Sequence, residues 1–208
     1  MAPVLRVDAL SCRRGMRRVV EGLSFALAGG ETLLLSGRNG SGKTTLLRAL
    51  ALFVPAESGT ITWRDRPVSE DPDGWRRDVA WLGHLDGLKG DLAAGENIAA
   101  AIHLQCGVAP SRAAIVEALE RFGMAAAVDR PVRSLSAGQR RRVALARVAL
   151  AGAPVWLLDE PLNALDSAAQ AELTAALTHH AEAGGLAIVA THTPLDLPNA
   201  RRLELAAP

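Results

Sequence analysis

Residues 37–44 read GRNGSGKT. Glycines at 37, 40 and 42 let the backbone turn tightly and aim successive N–H groups at one point, an arrangement that suits phosphate oxygens. The run TLLLS just before it predicts a strand and the pattern from Lys43 to about Leu52 predicts a helix. That is the setting in which such a loop cradles a nucleoside triphosphate, with the positive end of the helix dipole added. The candidate nucleotide-binding residues are Gly37, Arg38, Asn39, Gly40, Ser41, Gly42, Lys43, Thr44 and Thr45. Lys43 would reach the β- and γ-phosphates, and Thr44 would offer its hydroxyl to Mg²⁺.

A second acidic centre follows in VWLLDEP, Val155 to Pro161. A buried strand ending in two carboxylates sets Asp159 at the carboxyl edge of a sheet, where ligands of α/β folds bind. Asp159 is then a second candidate for Mg²⁺, and Glu160 a candidate to polarise an attacking water. A third motif, LSAGQRRRVALAR, opens a strong helical pattern at Leu135. Ser136, with a free hydroxyl, and Gly138 at a helix N-terminus read as another anion site. One triphosphate does not need two cradles, and one solution is that this second site serves a nucleotide held by another subunit. Arg140, Arg141 and Arg142 read as a solvated charged face.

These residues need a scaffold, and the chain alternates strand and helix patterns. LRVDAL, LSFAL and GTITW read as strands, and TLLLS, VWLLD and LAIVAT as strands buried on both faces. Ala137–Leu150 and Ala168–Ala183 read as helices. Between Gly90 and Arg133 strand signals vanish and two helices are expected, near Glu96–Leu104 and over SRAAIVEALERFGM, with Ser111 as cap. The expected fold is α/β: a P-loop NTPase core with a mostly parallel sheet, an N-terminal antiparallel β subdomain, and an inserted helical subdomain. We expect one domain over 1–208, with 1–84 and 135–208 as the nucleotide-binding core and 85–134 as the helical insert.

Composition narrows the function. A net charge of +1 offers no electrostatic footprint for nucleic acid. No stretch approaches the ~20 apolar residues of a membrane span, so no direct span is expected. The two cysteines, Cys12 and Cys106, fit no metal spacing and point to a reduced compartment.

The phosphate loop, LSAGQ, LLDEP, Ala164-Leu165-Asp166 and Thr191-His192, in this order, resemble the ATP-binding subunit of ABC transporters. The resemblance covers essentially the whole chain. It implies ATP hydrolysis, with Glu160 as catalytic base and His192 as the switch histidine at the γ-phosphate. It implies that two copies stack head to tail, so that Leu135, Ser136, Ala137, Gly138 and Gln139 act in trans. Ala164, Leu165 and Asp166 would link the two sites.

His84, at the end of the strand-like run before the helical insert, occupies the place where this family usually carries a glutamine that senses Mg²⁺ and the attacking water. A neutral imidazole offers one donor and one acceptor, as an amide does. Gly83-His84, Gly87, Lys89, Leu92 and Glu96-Asn97, with THTPL at Thr191–Leu195, resemble the ATP-binding subunits of cytochrome c maturation systems. That resemblance implies haem export or haem handling, an integral membrane permease as partner, and a peripheral position on the cytoplasmic face of the inner membrane. Two departures stand out. Ala93 occupies a place often held by threonine, so the helix after it should be less well capped. There is no tyrosine to stack on adenine, and Arg13 or Arg14 lies where one is expected. The alternatives are the ATPase of another small exporter, a non-transport ABC ATPase, and a P-loop kinase. A kinase has no use for LSAGQ, and non-transport relatives carry long coiled-coil insertions or two ATPase units. His103, His179 and His180 read as surface residues.

Overall fold

A computed structural model describes residues 5–197 and 200–205. Its centre is a five-stranded parallel sheet of β3 (Thr32–Ser36), β6 (Val79–Leu82), β7 (Val155–Asp159), β8 (Leu186–Ala190) and β9 (Ala200–Glu204), in the order β6-β7-β8-β3-β9. Alternate residues of each inner strand feed opposite cores. Leu33, Leu35, Val155 and Leu157 face one side; Leu34, Trp156 and Leu158 face the other. Burial on both faces explains why these strands read as unbroken apolar runs.

One side is covered by α1 (Lys43–Leu50) and by an antiparallel sheet, order β2-β1-β4-β5, of β1 (Leu5–Arg14), β2 (Arg17–Leu27), β4 (Ser58–Trp63) and β5 (Arg66–Pro67). The other is covered by α5 (Ala137–Leu150), α6 (Ser167–Glu182) and the helices α3 (Ala94–Cys106) and α4 (Arg112–Arg121). The expected fold class is therefore the observed one.

Three details differ from expectation. β1 and β2 run well past LRVDAL and LSFAL, because they pair as a long hairpin that turns at Gly15 (φ 61°). Helix α2 (Pro72–Asp78) gives no apolar period; it is set by its N-terminus, where Asp71 Oδ1 accepts from Gly74 N at 2.8 Å and proline stands in the first turn. β9, ARRLE, pairs with β3 alone, and a polar edge strand lacks the apolar run that marks its inner neighbours.

The start of α3 bears out the missing cap in part. Alanine has no side-chain acceptor, but Glu96 Oε2 still accepts from Ala93 N at 2.7 Å. Asn97, buried, holds the preceding loop: its Oδ1 accepts from Lys89 N at 2.7 Å and its Nδ2 donates to the Lys89 and Ala93 carbonyls at 3.0 Å. Among the described residues no helix is long and apolar enough to cross a membrane. Cys12 is buried, Cys106 exposed, and both are free thiols.

Candidate nucleotide site

Because the central strands are parallel, their carboxyl ends lie at one edge of the sheet. There the phosphate loop leaves β3, His84 follows β6, Asp159 and Glu160 close β7, and His192 follows β8. All of them meet around a cavity of about 380 Å³, whose walls include Asn39, Gly40, Gly42, Lys43, Thr44, Thr45, His84, Asp159, Glu160 and His192.

The phosphate loop holds its shape through backbone that only glycine takes freely. Gly42 has φ 100°, and a Cβ there would stand 2.7 Å from the Val19 carbonyl; one on Gly37, φ 135°, would stand 2.6 Å from that of Leu205. α1 starts at Gly42 without a side-chain cap, so its first N–H groups are open to an anion. Lys43 is buried and lies across the loop, donating from Nζ to the Gly37 carbonyl at 2.6 Å. Arg38 also contributes backbone: its carbonyl accepts from Ser41 N at 3.1 Å. Ser41 Oγ is buried inside the loop and finds no hydrogen-bond partner among the described residues.

Asp159 is 2% exposed. Burial pushes its carboxyl above the usual range; the Thr44 hydroxyl beside it and the Arg141 charge pull the other way. A carboxylate and a hydroxyl at the edge of a phosphate cradle are hard oxygen donors, the set that Mg²⁺ accepts when phosphate and water complete its shell. Thr44 and Asp159 thus fit the ion the sequence implies.

Glu160 sits in the left-handed region, φ 48°, which costs a residue with a side chain about 1–3 kcal/mol. Its N–H donates to the Ala190 carbonyl at 2.8 Å, and its Oε2 lies 2.9 Å from His192 Nδ1. A carboxylate accepts, so the His192 ring meets it with Nδ1–H as donor, which leaves Nε2 facing away from Glu160.

Leu135–Gln139 stand apart from the cavity walls. Ser136 and Ala137 are exposed, at the tip of α5. The Ser136 hydroxyl is not free, as the sequence reading had it: it accepts from Gln139 N at 3.2 Å, while Gln139 Oε1 accepts from Ser136 N at 3.0 Å. This capping box leaves the hydroxyl proton to donate. Gly138 is fixed by its neighbour, since a Cβ would stand 2.7 Å from the Ala164 carbonyl. Asp166 caps α6 by accepting from Ala169 N at 2.9 Å, and that bond, with Arg142, holds its carboxyl below the usual range. Leu165, buried, anchors the same loop.

The arginine triplet corrects the sequence reading. Arg140 donates to the Leu135 carbonyl, Arg142 pairs with Asp166, and Arg141 is 3% exposed, bound to the backbone beside Asp159 and Glu160. Its residue type gave the wrong signal, and only its position on the buried side of α5 reveals it. Asn163 also lines the cavity and carried no sequence signal. The base-side question narrows: Arg13 is drawn to Glu57 at 2.8 Å, whereas Arg14 lines the cavity with Val19. His180 is not a plain surface residue either, being stacked on Trp156 with ring centroids 4.1 Å apart. His103 and His179 are exposed, as expected.

The profile of the family described as ABC transporter matches residues 20–163. The chain belongs to the ABC transporter family. It is an ABC-type ATPase, and the motif order read from the sequence agrees with that membership. Relatives agree over nearly the full length. The cytochrome c biogenesis ATP-binding export protein CcmA of Dechloromonas aromatica is 44% identical over 195 residues, covering 94% of this chain and 95% of that one. The protein of the same name from Vibrio cholerae is 42% identical over 209 residues, covering 99% and 100%. Solved structures share the fold. An ABC transporter ATP-binding protein of Pyrococcus furiosus superposes with TM-score 0.85 at 23% identity, over 97% of this chain and 96% of that one. A dimeric ATP-binding cassette in a post-hydrolysis state, bound to ADP and Pi, does so with TM-score 0.81 at 24% identity, over 91% and 88%.

Proposed function

We propose that this chain is the ATP-hydrolysing subunit of a transporter for haem export or haem handling in cytochrome c biogenesis. It works as a head-to-tail pair of copies docked on an integral membrane permease, at the cytoplasmic face of the inner membrane. The observation that carries the catalytic reading is the convergence of Lys43, Thr44, His84, Asp159, Glu160 and His192 on one cavity. The near-full-length relatives carry the choice of system.

In this reading the N–H groups of the phosphate loop and of the first turn of α1 bind the ATP phosphates. Lys43 exchanges the Gly37 carbonyl for phosphate oxygens. Thr44 and Asp159 hold Mg²⁺, which offsets phosphate charge when bound. Glu160 accepts a proton from the attacking water, and His192 directs that carboxylate through Nδ1–H and, as the imidazolium, donates from Nε2–H to the γ-phosphate. Arg14, the cavity-lining member of the arginine pair, stacks on the base. His84 holds the water-side hydrogen bonds that an amide would make, and its loop meets the permease. Ser136 and Gly138 of the second copy close the site over the phosphate. The nucleotide-binding core spans 1–84 and 135–208, and the helical subdomain 85–134.

Co-purification from membranes tests the assignment. A polytopic membrane protein should copurify with the tagged chain and raise its ATPase rate, and strains lacking the chain should fail to assemble c-type cytochromes. Normal c-type cytochromes in the deletion strain would redirect the reading to another small exporter.

A further inference from the structure

Arg141 is a buried cation that the hydrolysis described above does not use. It sits in the second turn of α5, the helix that starts at Ser136, and its guanidinium makes five hydrogen bonds. Nη2 donates to the carbonyls of Asp159, at 2.8 Å, and Glu160, at 2.7 Å; Nε donates to that of Pro161 at 3.3 Å. Nη1 donates to the Gly83 carbonyl at 2.8 Å and to Asp86 Oδ1 at 3.0 Å. A guanidinium has five N–H donors in a fixed fork, so every donor is used. Three successive carbonyls on one side belong to the segment that carries Glu160; both acceptors on the other side flank His84.

That segment needs holding. Glu160 is left-handed at φ 48°, and its carboxylate faces the cavity only while the backbone keeps that turn. We propose that Arg141 is a positioning residue for hydrolysis: its guanidinium fixes the left-handed turn at Glu160 and locks it in register with the His84 loop. It reaches no reacting atom and acts through the backbone. Lysine offers three donors from one nitrogen and cannot span 159–161 and 83–86 together. Among the described residues no hydrogen bond joins Arg141 to the phosphate loop, and its link to Asp159 is to the backbone carbonyl, so nucleotide affinity should change far less than turnover when it is replaced. A third contact reinforces the loop: Arg147, one and a half turns further along α5, donates to the Trp81 carbonyl at 3.1 Å.

The proposal rests on Glu160 as the base, and the experiment separates the two. Arg141→Lys and Arg141→Gln are made in the full chain, with MgATP as substrate and the fluorescent analogue MANT-ATP as binding probe. We expect kcat to fall on the order of 10²-fold, as for a small misplacement of a reacting group, with KM and MANT-ATP affinity within about threefold of wild type. In the Glu160→Gln background, Arg141→Lys should lower the single-turnover rate by less than about twofold, because the carboxylate it positions is already gone. Equal losses of rate and MANT-ATP affinity, full multiplication of the two effects, or failure of both Arg141 variants to fold would each overturn the positioning role. Glu160→Gln alone reports on the base: a wild-type rate there removes Glu160 from the chemistry, whatever Arg141 does.

Discussion

At the scale of the residue, the proposed function divides the labour of the site between holding the nucleotide and handling the water. Lys43 is hydrogen-bonded to the Gly37 and Arg38 carbonyls of the phosphate loop, and Glu160 to His192. Glu160→Gln should therefore keep MANT-ATP affinity while hydrolysis falls by about 10²–10⁴-fold, the usual worth of a general base. Lys43→Ala should lose affinity first; equal affinity loss in both variants would contradict the division. His84 makes a subtler case. It shares the cavity with Asp159 and Glu160 through an exposed loop. If its work is that of an amide, His84→Gln keeps most of the ATPase activity and its stimulation by the membrane partner, whereas His84→Ala keeps ATP binding and loses the stimulation. Equal stimulation in all three proteins would make His84 a bystander.

At the scale of the element, α5 does more than its sequence announces. Its N-terminus carries the signature and abuts the 164–166 loop, and its buried side grips the ends of β6 and β7. Gly138→Ala should cost about 1–3 kcal/mol, as overpacking against backbone does, and should shift the 164–166 loop; an unchanged thermal midpoint would show that the contact gives freely. The phosphate loop, LLDEP and the signature were legible because each depends on residue types few other settings require, at fixed spacing beside a strand or helix. Arg141 was not legible, because an arginine in a run of three is normally solvated and its partners are backbone carbonyls with no sequence mark. α2 and β9 escaped for a related reason: one is set by a cap, the other lies at a sheet edge, and neither has an apolar period.

The packing of α6 on β7 supplies a pH effect on stability. His180 stacks on Trp156, and burial above all holds its imidazole below its ordinary range, with His179 adding to the effect. The folded state thus prefers the neutral ring. Below ~6.5 the unfolded chain takes up a proton that the folded chain refuses, so stability falls as pH drops from there through the lowered folded value. The thermal midpoint should fall less between pH 7.5 and 5.5 in His180→Phe, which keeps the stack, than in wild type. Equal falls would place the acid-sensitive group elsewhere.

At the scale of the molecule, the proposed function gives one copy half of what hydrolysis needs. Its cavity gathers the phosphate loop with Glu160 and His192, the base and switch of the proposed reading, whereas Ser136 and Ala137 are exposed and lie outside the walls of that cavity. A helix N-terminus whose capping hydroxyl retains its own proton can donate hydrogen bonds to an anion, here a phosphate brought to it from outside. In the proposed pair, a second copy turned head to tail would bring one and would receive the same service in return, the pairing that a closed two-fold assembly favours. The rate should then rise faster than linearly with protein concentration. Ser136 makes the test sharp because its cap role can be kept while its charge is changed: aspartate and asparagine cap as well as serine does. Ser136→Asn should fold normally and keep part of the hydrolysis. Ser136→Asp should fold equally well and bind MANT-ATP, yet lose hydrolysis, since its carboxylate would face the partner's phosphate. Mixing Ser136→Asp with Glu160→Gln should restore hydrolysis in part, because one of the two sites in a mixed pair then joins an intact base to an intact signature. A rate proportional to concentration, with no recovery on mixing, would mean that each copy hydrolyses ATP alone.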